Sequence, residues 1–227
     1  MTGASRGLGH ALTSALVLRG WHVVVDARDG DRLARAVAAL PDPSAVTAIA
    51  GDVTDDAHRA ALTAAVSSRG GLDLLVNNAS VLGPSPLPPL ATHPLPELLE
   101  VFEVNALAPL ALVQLLVPAL EARRGALVNL SSDAAVEAYA GWGGYGAAKA
   151  ALDRASAVLA LEHPRLGVYA FDPGDMATEL HQLADPGADL SALPRPADVV
   201  PALLRLLDQR LPSGRYRASD LTAAVPA

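Results

Sequence analysis

The chain has 227 residues, about half of them apolar, enough to bury a sizeable core without a disulfide or a structural metal. Its lack of cysteine excludes disulfide and thiolate chemistry, and a net charge of −7 argues against general nucleic-acid binding, which needs a basic face. No stretch of about 18 apolar residues is free of charge and proline, so no membrane span is expected.

Residues 1–20 lack the three-part form of a signal peptide, and the cytoplasm is the default compartment. The six histidines are scattered without ligand spacing, so no metal site is expected. The first informative stretch is Thr2-Gly3-Ala4-Ser5-Arg6-Gly7-Leu8-Gly9. Gly3, Gly7 and Gly9 permit a tight turn and a close backbone approach to a phosphate, and a helix from about Leu8 to Leu18 would turn its N-terminus to that anion. A doubly wound nucleotide fold sets a strand immediately before such a turn. Here only Met1 precedes it, so two neighbouring strands should be left with unpaired edges in the core. A start assigned several residues late and a truncated product both account for this, and the stable, active form is expected to carry an apolar strand upstream.

Trp21 to Asp26 reads as the next strand, followed by Ala27, Arg28 and Asp29 at its carboxyl end. An acidic residue there would accept hydrogen bonds from a ribose 2′-hydroxyl; an arginine would pair with a 2′-phosphate. Arg28 and Arg6 fit the phosphate, while a one-residue shift would make Asp26 the ribose reader. A helix over residues 31–40 and a strand over 45–50 lead to Asp52 and Val53. Asp52 could cap the helix that follows Thr54, and Asp55 and Asp56 suit a helix N-terminus. Leu72 to Val76 is another strand, with Asn77, Asn78 and Ala79 at its exit. Residues 81–96 hold six prolines and read as an irregular loop. A long apolar helix follows, interrupted near Asn105, a residue that tends to bond neighbouring backbone.

The run from Ala126 to Ser132 reads as a buried strand ending at a hydroxyl. Asp133 and Glu137 follow it, facing either a substrate or solvent. Tyr145 and Lys149 stand at i and i+4 on the next helix, on one face. A nearby ammonium favours a phenolate, so the pair is a plausible acid/base unit. Gly167 to Phe171 is a strand ending in Asp172-Pro173-Gly174-Asp175-Met176-Ala177-Thr178. Residues 179–196 read as a short lid. A helix over 199–207 and a last strand over 214–218 complete one domain, residues 1–227, of the α/β doubly wound, Rossmann-like kind.

In this order the glycine turn, Asn77-Asn78-Ala79, Asn105, Ser132 and Tyr145-x-x-x-Lys149 resemble the short-chain dehydrogenase/reductase family, from Thr2 to about Leu221. The resemblance implies an NAD(P)-dependent oxidoreductase acting on a small-molecule carbonyl or alcohol, with Asn105, Ser132, Tyr145 and Lys149 as the catalytic set. It implies cofactor contacts from Gly3, Ser5, Arg6, Gly7, Leu8, Gly9, Ala27, Arg28, Asp52, Val53, Asn78, Ala79, Tyr145, Lys149, Pro173, Gly174, Met176 and Thr178. Ala27, where NAD-specific members carry aspartate, and Arg28 favour NADP(H) over NAD(H). Ser80 replaces a family glycine and would tighten the contact beside the cofactor. The apolar helices around 106–120 and 145–161 imply a homodimer or homotetramer. A cofactor-binding regulatory or inactive protein, or a non-redox epimerase or dehydratase on the same scaffold, is the alternative.

Overall fold

The computed structural model describes residues 1–222, so the last five residues of the expected domain lie outside the described residues. Six strands alternate with helices, as expected. They are α1 (Gly7–Leu18), β1 (Val23–Ala27), α2 (Gly30–Ala38), β2 (Val46–Ala50), α3 (Asp56–Ser67) and β3 (Leu74–Asn77). After a proline-rich loop come α4 (Leu95–Phe102), α5 (Ala108–Arg123), β4 (Ala126–Leu130), α6 (Gly143–Glu162) and β5 (Gly167–Asp172). The chain ends with α7 (Glu179–Ala184), α8 (Pro196–Asp208), β6 (Gly214–Arg217) and α9 (Ala218–Thr222).

All strand pairs are parallel, which explains the near-continuous apolar runs: a parallel sheet is covered on both faces. Successive side chains serve opposite layers. Val76 and Val128 join Leu12, Leu16, Leu203 and Leu206 under α1 and α8, while Leu75 and Leu127 join Leu62, Leu112, Leu116 and Leu120 under α3 and α5. The expected interruption of the long helix is a π-helical turn, Glu103–Leu107, between α4 and α5. The composite helix Leu95–Arg123 is apolar and long enough by composition to cross a membrane, yet half of its apolar window is buried within the protein. It packs as a core helix.

The sheet comes in two pieces, ordered β2-β1 and β3-β4-β5-β6, with a gap between β1 and β3. This is the open edge expected from the sequence. One expectation needs correcting: the glycine turn is anchored nonetheless. The Met1 amine donates to the Val24 carbonyl (2.9 Å), and the Asp26 amide donates back to the Met1 carbonyl (3.2 Å). On the other side the Thr2 amide donates to the Val76 carbonyl (3.1 Å), and the Thr2 hydroxyl accepts from the amides of Asn78 and Ala79. Met1 and Thr2 thus bond both sheets ahead of the turn that begins at Gly3.

Candidate active site

The carboxyl ends of the strands bring the glycine turn, β1, β3, β4 and β5 to one cleft of about 490 Å³. Ligands in open parallel sheets sit at this edge. The turn is forced by close packing. Gly3 has φ +66°, and a Cβ there would stand 2.9 Å from the Ala79 Cα. A Cβ on Gly9 would meet the Asn78 side chain and the Gly3 carbonyl, each at 2.5 Å. Asn78 holds the turn from its other side, donating through Nδ2 to the carbonyls of Thr2 (2.8 Å) and Gly3 (3.0 Å).

Asp26 is bonded into the turn. Its carboxylate is buried, with Oδ1 accepting from the Gly3 amide (2.8 Å) and Oδ2 lying 3.1 Å from His58 Nε2. Asp26 and, beyond the strand end, Arg28 both line the cleft. Arg6 is not free: Arg6 and Arg32 both bind the Glu179 carboxylate at the start of α7. The guanidinium of Arg32, joined by that of Arg6, holds Glu179 below the usual carboxylate range. Asp52 binds the amide and hydroxyl of Thr54 (2.9 and 2.8 Å), and Asp55, not Thr54 or Asp52, caps α3.

Tyr145 and Lys149 lie on the buried face of α6, and Nζ is 5.5 Å from the phenol ring centre. The Lys149 ammonium donates to the Leu130 carbonyl (2.7 Å). Burial lowers its pKa to about 8, against a smaller raising effect of Asp153. Contrary to the expected lowering, Tyr145 is pushed up to about 12. Burial is the main cause; the Ser80 hydroxyl opposes it, Asp172 and Asp133 add to it, and Ser132 opposes it. Desolvation outweighs the neighbouring cation because the phenolate has little water.

Ser132 sits between the strand end and a 3-10 turn, Asp133–Ala135, which its hydroxyl caps by accepting from the Ala134 amide (3.2 Å). The same hydroxyl donates to Asp133 Oδ1 (2.9 Å). Tyr139 lies 2.9 Å from Asp133 Oδ2 and 3.0 Å from Glu137 Oε2, and Arg217 binds Glu137 (2.6 Å). Burial alone would raise Asp133, but hydrogen bonds from Ser132, Tyr139 and Ala134 bring it below its ordinary value. Asp133 is half-buried and Glu137 exposed, and both carboxylates are bonded within the loop behind Ser132, through Tyr139 and Arg217. Asn105 is fully buried in the π turn. Its Oδ1 accepts from the Ser80 hydroxyl (2.9 Å) and the Val81 amide (3.1 Å), and its Nδ2 donates to the Val81 carbonyl (2.7 Å).

A family model described as short chain dehydrogenase matches residues 1–188. The chain belongs to the short-chain dehydrogenase/reductase family. It is 36% identical over 183 residues to serine 3-dehydrogenase of Agrobacterium fabrum, covering 79% of this chain and 72% of the relative. It is 35% identical over 199 residues to sepiapterin reductase of Mus musculus, covering 81% and 76%. Among solved structures, a short chain dehydrogenase of Shigella flexneri complexed with NADP superposes with a TM-score of 0.89 at 27% identity, covering 96% of this chain and 95% of that one. A short-chain dehydrogenase of Streptomyces avermitilis gives 0.83 at 31%, covering 98% and 90%.

Of the residues carried over from the family, Gly3, Ser5, Arg6, Gly7, Leu8, Ala27, Arg28, Asp52, Val53, Asn78, Ala79, Tyr145, Lys149, Pro173, Met176 and Thr178 line the cleft. Gly9 shapes the turn from behind, and Gly174, at φ +71°, forms the turn after Pro173. Ser132 and Asn105 stand behind the lining, reaching it through Tyr145 and Ser80. The cleft fits a dinucleotide: its glycine turn leaves no room for a side chain at Gly3, and the N-terminus of the 12-residue α1 opens beside it.

Sequence reasoning missed two participants, Glu179 and Arg215, and read Ser80 only as a tightened contact beside the cofactor. Ser80 bonds Asn105 and faces the Tyr145 phenol. Glu179 ties Arg6 to Arg32. Arg215, on the edge strand β6, donates to the Ser132 carbonyl (2.9 Å), Asp172 (2.9 Å) and Asp153 (3.0 Å). An arginine in a strand that must pack at a strand end was the one available signal for Arg215.

The titration of Lys149 has a stability consequence. Its amine titrates near 8 when folded and near 10.5 when exposed, so between these values the unfolded chain holds more protons and stability rises with pH. Below about 8 both states are protonated and the burial penalty is complete. Lys149→Met should lack that rise. Denaturant unfolding at pH 8, 9 and 10.5 is expected to show the parent gaining on the variant at each step; a constant difference refutes the burial account of Lys149.

Proposed function

We propose that the chain is an NADP(H)-preferring oxidoreductase that interconverts a carbonyl and an alcohol on a small molecule, with Tyr145 as its acid/base. The observation that carries this is the placement of Tyr145, Lys149 and the glycine turn on one cleft at the carboxyl ends of parallel strands. The nicotinamide cofactor supplies the hydride chemistry when bound. The chain's own residues do the rest. A phenol raised to about 12 is protonated at neutral pH and can donate to a carbonyl oxygen. The Ser132 hydroxyl offers a second donor beside it, so charge developing on that oxygen meets pre-placed hydrogen bonds. Lys149, held by Leu130, keeps a cation beside the phenol ring and favours the phenolate left after donation. Asn105 and Ser80 hold the wall of the cleft opposite α6.

The preference for NADP(H) rests on Arg28 at the strand end, with Asp26 turned into the glycine turn and bonded there. Arg6 and Arg32 lie at the same mouth, held by Glu179, and reinforce it. The relatives' names span an amino-acid dehydrogenase and a pterin reductase, so substrate choice belongs to the variable segments, residues 81–94 and 179–196, rather than to the shared frame. Assembly as a homodimer or homotetramer is supported by exposed apolar side chains on the two helix segments named from sequence: Leu107 and Leu115, and Val158 and Leu161.

Tyr145→Phe should lower kcat by about 10²–10⁴-fold while leaving NADPH affinity unchanged, because only the proton donor is lost. A steady-state assay that finds more than half the parent kcat removes Tyr145 from this role. Arg28→Ala should weaken NADPH by about tenfold or more and NADH little, as a charge-assisted contact to phosphate is lost. Equal weakening of both in a fluorescence titration sinks the preference. A single-chain mass by light scattering at micromolar concentration would exclude the oligomer.

A further inference from the structure

Arg215 stands on the edge strand β6, opposite Ala170 of β5, and its half-buried side chain joins three segments at the back of the active site. Its Nη2 donates to the Ser132 carbonyl beyond the exit of β4 (2.9 Å) and to Asp172 Oδ2 at the end of β5 (2.9 Å). Its Nε donates to Asp153 Oδ2 on α6 (3.0 Å). Asp153 follows Lys149 by four residues, and Lys149 follows Tyr145 by four, so all three share one face of α6. Asp172 leads into Pro173, which lines the cleft, and its Oδ1 fixes that turn by accepting from the Gly174 amide (3.0 Å). The guanidinium thus touches each element that carries the acid/base pair or its second donor.

The charges behind that pair are closely balanced. The side chain of Asp172 is 3% exposed and that of Asp153 14%, so neither carboxylate has much water to rely on. Asp153 Oδ2 accepts from the Ser131 hydroxyl (2.8 Å) as well as from Arg215, while its Oδ1 is buried with no partner. Arg217 approaches Asp172 only to 3.6 Å and is itself bound by Glu137. Among the described residues, Arg215 is the one cation that both carboxylates share. Burial dominates the titration of Tyr145 and of Lys149; against that background Asp172 raises the phenol and Asp153 raises the amine. The other segments packed on α6 bring Asp133, from the 3-10 turn, and His93, whose ring lies beside Gly144. Asp133 is bonded to Ser132, Ala134 and Tyr139, and His93 to nothing. Glu97, Glu100 and Glu103, on α4 and the π turn, are exposed.

We propose that Arg215 is a positioning residue of this active site: it holds the Ser132 backbone and balances the charge that Asp153 and Asp172 direct at Lys149 and Tyr145. This rests on the oxidoreductase reading for the roles of Ser132 and Tyr145. Without the guanidinium, two buried carboxylates stand underpaired behind the acid/base pair. Uncompensated negative charge favours the protonated form of both groups, so the phenol parts with its proton less readily. A lysine is no substitute, because a single point charge cannot span the three acceptors that the guanidinium fork reaches.

Denaturant unfolding between pH 8 and 10.5 reads this charge balance without turnover. The parent gains stability over that range because Lys149 titrates near 8 when folded and near 10.5 when unfolded. In Arg215→Met the folded value moves toward 10.5, so the rise should shrink. Asp153→Asn removes the raising carboxylate, so its rise should begin at lower pH than the parent's. The double variant should recover a rise close to the parent's, which the loss of a merely structural tie does not predict. If Arg215→Met does not fold, Arg215→Gln, which keeps a donor for the Ser132 carbonyl, carries the same comparison. In carbonyl reduction with NADPH, Arg215→Met should lower kcat by roughly tenfold, part of the about 10²–10⁴-fold that a proton donor contributes, with NADPH affinity unchanged. Guanidinium chloride at millimolar concentration should restore part of that loss where sodium chloride does not. Arg215 loses this role if variant and parent gain stability in parallel from pH 8 to 10.5, or if kcat holds while only cofactor affinity falls. Parallel unfolding curves tell against Arg215 alone, whereas a Tyr145→Phe variant that keeps its kcat tells against the oxidoreductase reading.

Discussion

Four residues hold the halves of this sheet together. Residues 1–4 bond the carboxyl end of β1 through Val24 and Asp26 and that of β3 through Val76, Asn78 and Ala79. The glycine turn, the entry to α1 and the floor of the cleft follow from that anchorage. Asp26 adds the decisive contact, because its buried carboxylate fixes the Gly3 amide and with it the path of the turn. A parallel sheet interrupted at its centre would ordinarily lose its strand-end site, since the ends no longer keep register. Here the bond pattern is retained where the ligands act and is absent where they do not.

The chemistry of the cleft is set by burial more than by proximity of charge. Tyr145 and Lys149 face each other on α6, and proximity alone predicts a lowered phenol. Both groups are shielded from water, and each is driven toward its neutral form: the phenol up to about 12 and the amine down to about 8. The phenol is therefore protonated at neutral pH, beside an amine whose charge is disfavoured by burial.

The fold was largely legible in the sequence because buried parallel strands leave uninterrupted apolar runs, and the glycine, asparagine and tyrosine-lysine spacings mark strand ends. The gap in the sheet was legible too, from a phosphate turn with one residue ahead of it. What the sequence could not convey was the partner of each polar group. Asp26 and Arg28 are two residues apart, and nothing in their spacing shows that Asp26 is bonded to Gly3 and His58. Glu179 lies 173 positions from Arg6, and Arg215 lies 83 from Ser132. Contacts at such separations have no periodicity to betray them. For Asp133 and Glu137 the sequence left substrate and solvent open, and it gave no sign of the bonds to Tyr139 and Arg217 that tie them into the loop.

Those bonds have a consequence for Ser132. Its hydroxyl carries one proton, now given to Asp133, while its oxygen accepts from the Ala134 amide. Under the proposed function, a carbonyl oxygen in the cleft would compete with Asp133 for that proton. Turning the hydroxyl toward it would leave the half-buried Asp133 with the Ala134 amide on Oδ1 (2.8 Å) and Tyr139 on Oδ2, so the carboxylate would keep partners. Arg215 meanwhile grips the Ser132 carbonyl, so the backbone stays fixed as the hydroxyl moves. The loop can thus release one hydrogen bond without loosening, which is what the proposed function asks of Ser132 as a donor.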